Sequence, residues 1–169
     1  METLDSKTQV AKAPVITSDV LLNQWLGHRR LTRRVIEAFP EKELFHFSVG
    51  GMRPFAQLVK EILSMGAPGI RGVVTGTWAS YKEVEDSIKP ATKAELLRLW
   101  DEATEEITML WPKISANRFQ ETDKFLGLYE GPIYWSILYL IDNEIHHRGQ
   151  GYVYLRSLGI VPPYFWDRN

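Results

Sequence analysis

Apolar residues recur at intervals of three and four along several stretches of the chain, and this spacing predicts long helices. The first predicted helix begins near Ser18 or Asp19, either of which can cap it, and ends at Pro40. Its apolar stripe consists of Leu21, Trp25, His28, Leu31, Val35 and Phe39. One histidine, His28, therefore faces the predicted interior.

The second predicted helix begins at Arg53, with Pro54 in its first turn, where a missing amide hydrogen does no harm. We expect it to stop at the sequence GAPG, residues 66–69, because glycine and proline interrupt helices. Its apolar face consists of Phe55, Leu58, Val59 and Ile62. The preceding segment, residues 41–51, is predicted to be extended.

A long connection follows over residues 70–91, with a short helical turn expected near 79–87. Thr92 and Glu95 have the spacing of a capping box and predict the start of a third helix, which Pro112 should kink or end. Residues 115–127 are predicted to form a polar loop.

The fourth predicted helix begins after Pro132 and ends at Gly159. Four periodic segments without the alternation of a sheet predict an all-α fold, namely a four-helix bundle with a long connection between helices 2 and 3. Residues 1–17 lack periodicity and are predicted to be a loose N-terminal arm, and residues 18–169 a single domain.

Composition excludes several functional classes. The net charge is −1, which gives no general attraction to nucleic acid or to a membrane surface. There is no cysteine, so disulfides, thiolate ligands and a cysteine nucleophile are absent. The apolar run at 133–141 is far shorter than the roughly 20 residues that span a bilayer. We therefore predict a soluble, cytoplasmic protein.

One basic cluster, HRRLTRR at residues 28–34, allows two interpretations. Helical spacing places Arg29 beside Arg33 and Arg30 beside Arg34, which would suit an anion or a nucleic acid. The alternative, which we favour, is a solvated helix face balanced by nearby carboxylates such as Glu37. No nucleic-acid partner is predicted, and no phosphate-binding loop or nucleophile elbow is present.

The most chemically distinctive stretch is DNEIHHRGQ, residues 142–150, within the fourth predicted helix. One side of that helix carries Tyr139, Asn143, His147, Gln150 and Tyr154. Such a cluster could be a hydrogen-bonded network that fixes helix packing, a metal site or an acid/base centre. Glu144 and Arg148 have the spacing of a helical ion pair.

Three metal geometries compete in this stretch. Asn143 with His147, and Asp142 with His146, are separated by one helical turn. Glu144 with His147 has the E-x-x-H spacing of carboxylate-bridged di-iron bundles, which would need glutamates from two further helices.

The sequence DNEIHHRGQGYVYLRSLGIVPPYFW (142–166) resembles the C-terminal signature of the DinB family, whose relatives include thiol transferases that use bacillithiol or mycothiol. Residues 51–63 and 21–40 are similar to the second and first helices of that family. The resemblance implies a four-helix bundle, commonly dimeric, in which three histidines of the second and fourth helices bind one divalent metal.

Carried onto this sequence, the three ligand positions are Glu61, Asn143 and His147. Only one of the three is histidine, and the harder donor set should favour zinc less and manganese, iron or magnesium more, with nickel also a candidate. Without a metal, Glu61 and His147 could act as a general acid/base pair. The resemblance implies a metal-dependent hydrolase or thiol transferase acting on a small molecule, with His146 and His28 supporting the ligands or transferring protons. The alternative is a non-catalytic binding or stress-response module with a structural polar pocket. A homodimer is expected, because six tryptophans, seven tyrosines and seven phenylalanines exceed what one small core hides.

Overall fold

A computed structural model describes residues 15–169, and these residues form six helices and one two-stranded sheet. The elements in chain order are α1 (Ser18–Ala38), α2 (Glu41–His46), α3 (Phe55–Thr75), α4 (Tyr81–Ser87), α5 (Lys93–Leu110), β1 (Thr122–Phe125), β2 (Tyr129–Pro132) and α6 (Ile133–Ser157). The predicted all-α class is confirmed, since helices α1, α3, α5 and α6 correspond to the four that periodicity indicated. Most of the predicted N-terminal arm, residues 1–14, lies outside the described residues.

The ends of the long helices follow local capping chemistry. The cap of α1 is Thr17, whose side chain accepts a hydrogen bond from the amide of Val20, so Ser18 and Asp19 lie one step inside the helix. At α5 the predicted capping box is present, because Thr92 and Glu95 each accept from the other's backbone amide. Helix α5 ends at Leu110, and a 3₁₀ turn that contains Pro112 follows it.

Helix α3 does not stop at residues 66–69 as predicted. It continues through Pro68 to Thr75 and ends at Gly76, which adopts a left-handed conformation with φ of 71°. Residues 66–69 are all buried, and a side chain at Gly69 would lie 3.0 Å from the Phe125 ring. Close packing thus explains Gly69, and the tertiary contacts of this buried segment outweigh the missing hydrogen bond at the proline.

Two further predictions were wrong. Residues 41–46, predicted to be extended, form the short helix α2, which buries Leu44. The predicted polar loop at 115–127 contains β1, which pairs in antiparallel register with β2, with Thr122 opposite Pro132. Four-residue elements are too short to show a clear period in the sequence. The expected helical turn near 79–87 is confirmed as α4.

The long helices enclose two apolar clusters, and α1 and α3 each pack against both α5 and α6. One cluster combines the N-terminal halves of α1 and α6 with the C-terminal halves of α3 and α5. The other combines the opposite halves. Helices α3 and α5 therefore run in the same direction, which is why the chain between them needs a connection long enough to return along the fold. No helix in the described range 15–169 is long and apolar enough to cross a membrane.

Candidate functional site

The structure brings together the three side chains at the predicted ligand positions. Glu61 projects from α3, and Asn143 and His147 project from the same face of α6, one turn apart. The Glu61 Oε1 atom lies 3.0 Å from His147 Nε2 and accepts a hydrogen bond of 3.1 Å from Asn143 Nδ2. We call these three residues the Glu61 cluster. Their role as metal ligands stays a prediction.

Two further residues complete the surroundings of this cluster, and the sequence indicated only one of them, Gln150. The Arg53 guanidinium donates to the second carboxylate oxygen of Glu61. The side-chain oxygen of Gln150 lies 2.7 Å from His147 Nδ1, and its nitrogen faces the sulfur of Met52. Gln150 lies one turn beyond His147 on the predicted helix face, whereas Arg53 precedes α3 and no periodicity connects it to the site.

The charge state of Glu61 follows from these contacts. Partial burial would raise the pKa of its carboxyl group, but hydrogen bonds from His147, Arg53 and Asn143 outweigh burial and lower the pKa to about 2. The side chain is only 17% exposed. Glu61 is therefore ionised at neutral pH, and its hydrogen bonds fix the position of its carboxylate.

The two predicted supporting histidines occupy different environments. His146 is exposed, and its ring centroid lies 5.0 Å from that of His147 in an edge-on arrangement. His28 is buried on α1, where its Nδ1 atom accepts a hydrogen bond of 2.9 Å from Arg148. Burial and the charge of Arg148 lower the pKa of His28 to about 4, so it is a neutral acceptor. It therefore contacts a residue next to His147 in the chain and not the Glu61 cluster itself.

Glu144 is the centre of a second polar group, which is buried between the two apolar clusters. Its carboxylate accepts from the Trp25 indole at 3.0 Å and from the Thr32 hydroxyl at 2.7 Å. It also lies 3.7 Å from Arg29 and 3.8 Å from Arg148, which confirms the predicted pairing with Arg148. We call these residues, together with His28, the Glu144 network. Because its carboxylate is committed to these partners, Glu144 is not shared with His147 as the di-iron spacing would require.

The other metal geometries are not formed either. Asp142 and His146 are both exposed on the outer side of α6. Within residues 15–169, no three histidine, aspartate or glutamate side chains are grouped in a way that could hold an ion. Any ion at the Glu61 cluster would therefore depend on the amide of Asn143.

The arginines of residues 28–34 have protein partners. Arg33 binds Asp101 and Glu37, and Arg34 binds Asp167 near the C terminus. The interpretation as a solvated face was wrong for Arg29, which is 1% exposed and lies 3.6 Å from the ring centroid of Trp100. The cluster serves mainly to join α1 to α5, α6 and the C-terminal segment.

Comparisons with known proteins agree with the fold. A DinB-like protein from Bacillus cereus superposes with a TM-score of 0.71 at 17% sequence identity, and the match covers 88% of this chain and 97% of the other. A DinB-like protein from Bacillus subtilis gives a TM-score of 0.69 at 17% identity, with coverage of 88% and 99%. No curated protein matches the sequence. The model of the DinB family matches residues 8–167, nearly the whole sequence, and the chain belongs to the DinB family.

Proposed function

We propose that the Glu61 cluster is the active centre of a small-molecule hydrolase or thiol transferase that holds one divalent metal ion. One contact supports this proposal most directly. The side-chain oxygen of Gln150 faces His147 Nδ1, and this arrangement favours the tautomer with the proton on Nδ1. A neutral His147 then presents the lone pair of Nε2 to Glu61 Oε1 at 3.0 Å. Two acceptors at this distance need a cation between or beside them, either a proton or a metal ion.

The spacing of the cluster fits a shared ion. Two ligand atoms bound at about 2.1 Å and at right angles to each other are about 3.0 Å apart. The observed separations from Glu61 Oε1 are 3.0 Å to His147 and 3.1 Å to Asn143. A half-turn of the Asn143 amide would present its oxygen instead of its nitrogen.

The surroundings supply the usual features of a metal ligand set. Gln150 holds the distal nitrogen of His147, as partners of ligating histidines do. Arg53 and Asn143 also donate to Glu61, and both contacts lower the pKa of its carboxyl group without a proton from His147, which keeps it ionised at neutral pH. One carboxylate, one amide and one imidazole favour manganese or iron, with zinc and nickel as weaker alternatives. When bound, such an ion lowers the pKa of a coordinated water or thiol towards neutrality.

The chain's own residues have distinct proposed tasks. Glu61 carries the negative charge, and Arg53 neutralises the carboxylate oxygen that faces away from His147. The exposed His146 would transfer protons between solvent and the centre. His28 would support the site indirectly by holding Arg148 and thereby fixing the orientation of α6.

The same contact also favours a second candidate. With a proton in place of the metal, His147 is an imidazolium paired with the Glu61 carboxylate, and the two form a general acid/base pair. A non-catalytic binding or stress-response module remains the alternative from a different functional class. We further propose that the protein is a cytoplasmic homodimer.

Calorimetric titration of the chelator-treated protein with Mn²⁺ and Zn²⁺ tests the metal. We expect Glu61→Gln to weaken binding strongly, because it removes the only charged ligand. Asn143→His should tighten Zn²⁺ binding, because it adds a second imidazole. Glu105→Gln is the matched control, since Glu105 is exposed on α5. Binding that is absent in the parent protein, or equal in all variants, would contradict the metal and leave the acid/base pair.

A further inference from the structure

A cavity of about 250 Å³ lies between the β1–β2 hairpin and the N-terminal half of α6. The hairpin contributes Phe125 and Tyr129, and α6 contributes Trp135, Ser136 and Tyr139. Phe125 and Ser136 are buried and form its inner wall. The other three are between 44% and 57% exposed, so the cavity opens to solvent. We call it the aromatic cavity.

The walls of the aromatic cavity are positioned by contacts that leave little space behind them. The Phe125 ring packs on Gly69 of α3, where a Cβ atom would lie 3.0 Å away. The Trp135 ring packs on Gly131 in the same manner, with a corresponding distance of 2.9 Å. The centroids of Tyr129 and Tyr139 are 6.5 Å apart. A larger residue at either glycine would displace a wall.

The chemistry of the walls defines the kind of ligand. Four of the five lining side chains are aromatic, and none of the five is charged at neutral pH. Their polar groups are the hydroxyls of Tyr129, Ser136 and Tyr139 and the indole N–H of Trp135. Aromatic walls with a few hydrogen-bonding groups are typical of sites for flat apolar groups, and the lack of an arginine or lysine disfavours an anion.

The volume of the cavity limits the size of the ligand. An apolar protein cavity of about 150 Å³ is enough for benzene. A volume of about 250 Å³ therefore has room for one ring with substituents or for two fused rings. That volume is too small for a helix or strand of another protein.

The aromatic cavity and the Glu61 cluster lie on the same side of α6. Tyr139, Asn143 and His147 follow one another at intervals of four residues, so each Cα is about 6 Å from the next. Towards the cluster α6 faces Glu61 of α3, and towards the cavity it faces Gly69, two turns further along α3. The charge of Glu61 reaches Tyr139, whose pKa is raised by burial and by the nearby Tyr129 and Glu61.

We propose that the aromatic cavity binds the planar apolar ring of a small neutral molecule, and that this ring belongs to the substrate of the Glu61 cluster. The second part rests on the proposed function. The ring would lie against Tyr139, and the reacting group would extend along α6 towards Asn143 and His147. The substrate class is therefore a small aromatic or similarly flat compound with a reactive substituent about one to two helical turns (roughly 6–12 Å) from its ring.

A binding titration with 2-naphthol, a neutral compound with two fused rings, tests the cavity. The signal is the Trp135 indole N–H resonance of ¹⁵N-labelled protein, assigned with Trp135→Phe. We expect saturable shifts in the parent, and a loss of affinity of about tenfold or more in Tyr139→Ala, because one wall is removed. Tyr134→Ala is the matched control, since Tyr134 is 41% exposed on the same helix and does not line the cavity. Absence of saturable binding, or equal losses in both variants, would overturn the proposal.

A second experiment tests whether the ring in the aromatic cavity belongs to the substrate of the Glu61 cluster. With Mn²⁺ added, we expect paramagnetic broadening of the bound 2-naphthol protons in the parent and not in Glu61→Gln, although both proteins bind 2-naphthol equally. Broadening of the amide of residue 147 without broadening of the 2-naphthol protons would overturn the substrate assignment. If Mn²⁺ broadens neither, the metal proposal has failed while the 2-naphthol titration still decides the cavity. A further outcome would also overturn the proposal. If the parent does not bind 2-naphthol and Tyr139→Ala abolishes a dimer, the cavity is a contact between two copies of the chain.

Discussion

Glu61 Oε1 and His147 Nε2 face each other across 3.0 Å, and this contact joins α3 to α6 at the candidate site. The same carboxylate also accepts hydrogen bonds from the side chains of Asn143 and Arg53. A carboxylate held by three donors strengthens the fold only while it is ionised. The contact should therefore be visible in the pH dependence of stability as well as in metal binding.

Stability should depend on Glu61 in the acid range. Its pKa is about 2 in the folded protein against an ordinary value of 4.5, so the unfolded chain binds the proton more readily. The contribution is fully present above pH 4.5 and is lost as the pH falls towards 2. At about 1.4 kcal/mol per pH unit it is of order 3 kcal/mol. Urea unfolding of the parent and Glu61→Gln should give free energies that differ most near neutral pH and converge as the pH falls from 4.5 towards 2. A difference that does not change with pH would contradict the prediction.

Removing the charge of Glu144 should destabilise the protein strongly. Glu144→Gln leaves Arg29 and Arg148 buried without their carboxylate, and breaking such a buried pair costs about 3–5 kcal/mol. The measurement is the free energy of unfolding in urea at neutral pH. Glu105→Gln, the same change at an exposed position, should alter it by less than about 0.5 kcal/mol. Similar values for the two variants would show that the Glu144 network contributes little.

Two glycines of α6 should respond in opposite directions to alanine. A Cβ atom at Gly151 would lie 2.5 Å from the Phe55 ring, so Gly151→Ala should destabilise the protein by about 1–3 kcal/mol. A Cβ atom at Gly149 meets nothing within 4 Å, and Gly149→Ala should stabilise the helix by about 0.5–1 kcal/mol. Thermal unfolding of both variants against the parent checks the signs. Stabilisation by both substitutions would mean that Phe55 moves aside without cost.

The proposed homodimer predicts a particle mass of twice 19.5 kDa. Tyr164, Phe165 and Trp166 are each more than 60% exposed, and exposed aromatic residues favour association. Light scattering at micromolar concentration is the measurement, and replacing Phe165 and Trp166 by serine should lower the average mass. A mass of 19.5 kDa for the parent protein would contradict the dimer.

The long helices were easier to predict from the sequence than the short helix α2 and the β1–β2 hairpin. The sequence indicated α1 and α6, because both helices have more than 20 residues. The predicted end of α3 was wrong, because Gly66, Pro68 and Gly69 usually interrupt helices. The contact of Gly69 with Phe125, which is distant in the chain, is not visible in the local sequence. Helix α2 and the hairpin are too short for a clear period.

The candidate site was partly predictable for a similar reason. Asn143 and His147 share a helix face by spacing alone, whereas Glu61 was placed opposite them by family resemblance. Arg53 reaches Glu61 from outside the helix, and no local pattern marks such a contact. Arg29 was expected on the surface, because its carboxylate partner Glu144 lies more than 100 residues away in the chain.

That separation between Arg29 and Glu144 has a consequence for synthesis on the ribosome. Trp25, Arg29 and Thr32 emerge early, but the carboxylate that they surround belongs to the last helix. A nascent chain that ends after α5 can place Arg29 against Trp100 without the carboxylate that balances its charge. The interior of this protein therefore acquires its charge balance only after α6 has been synthesised, and chains that stop before α6 are the ones that should need chaperones most.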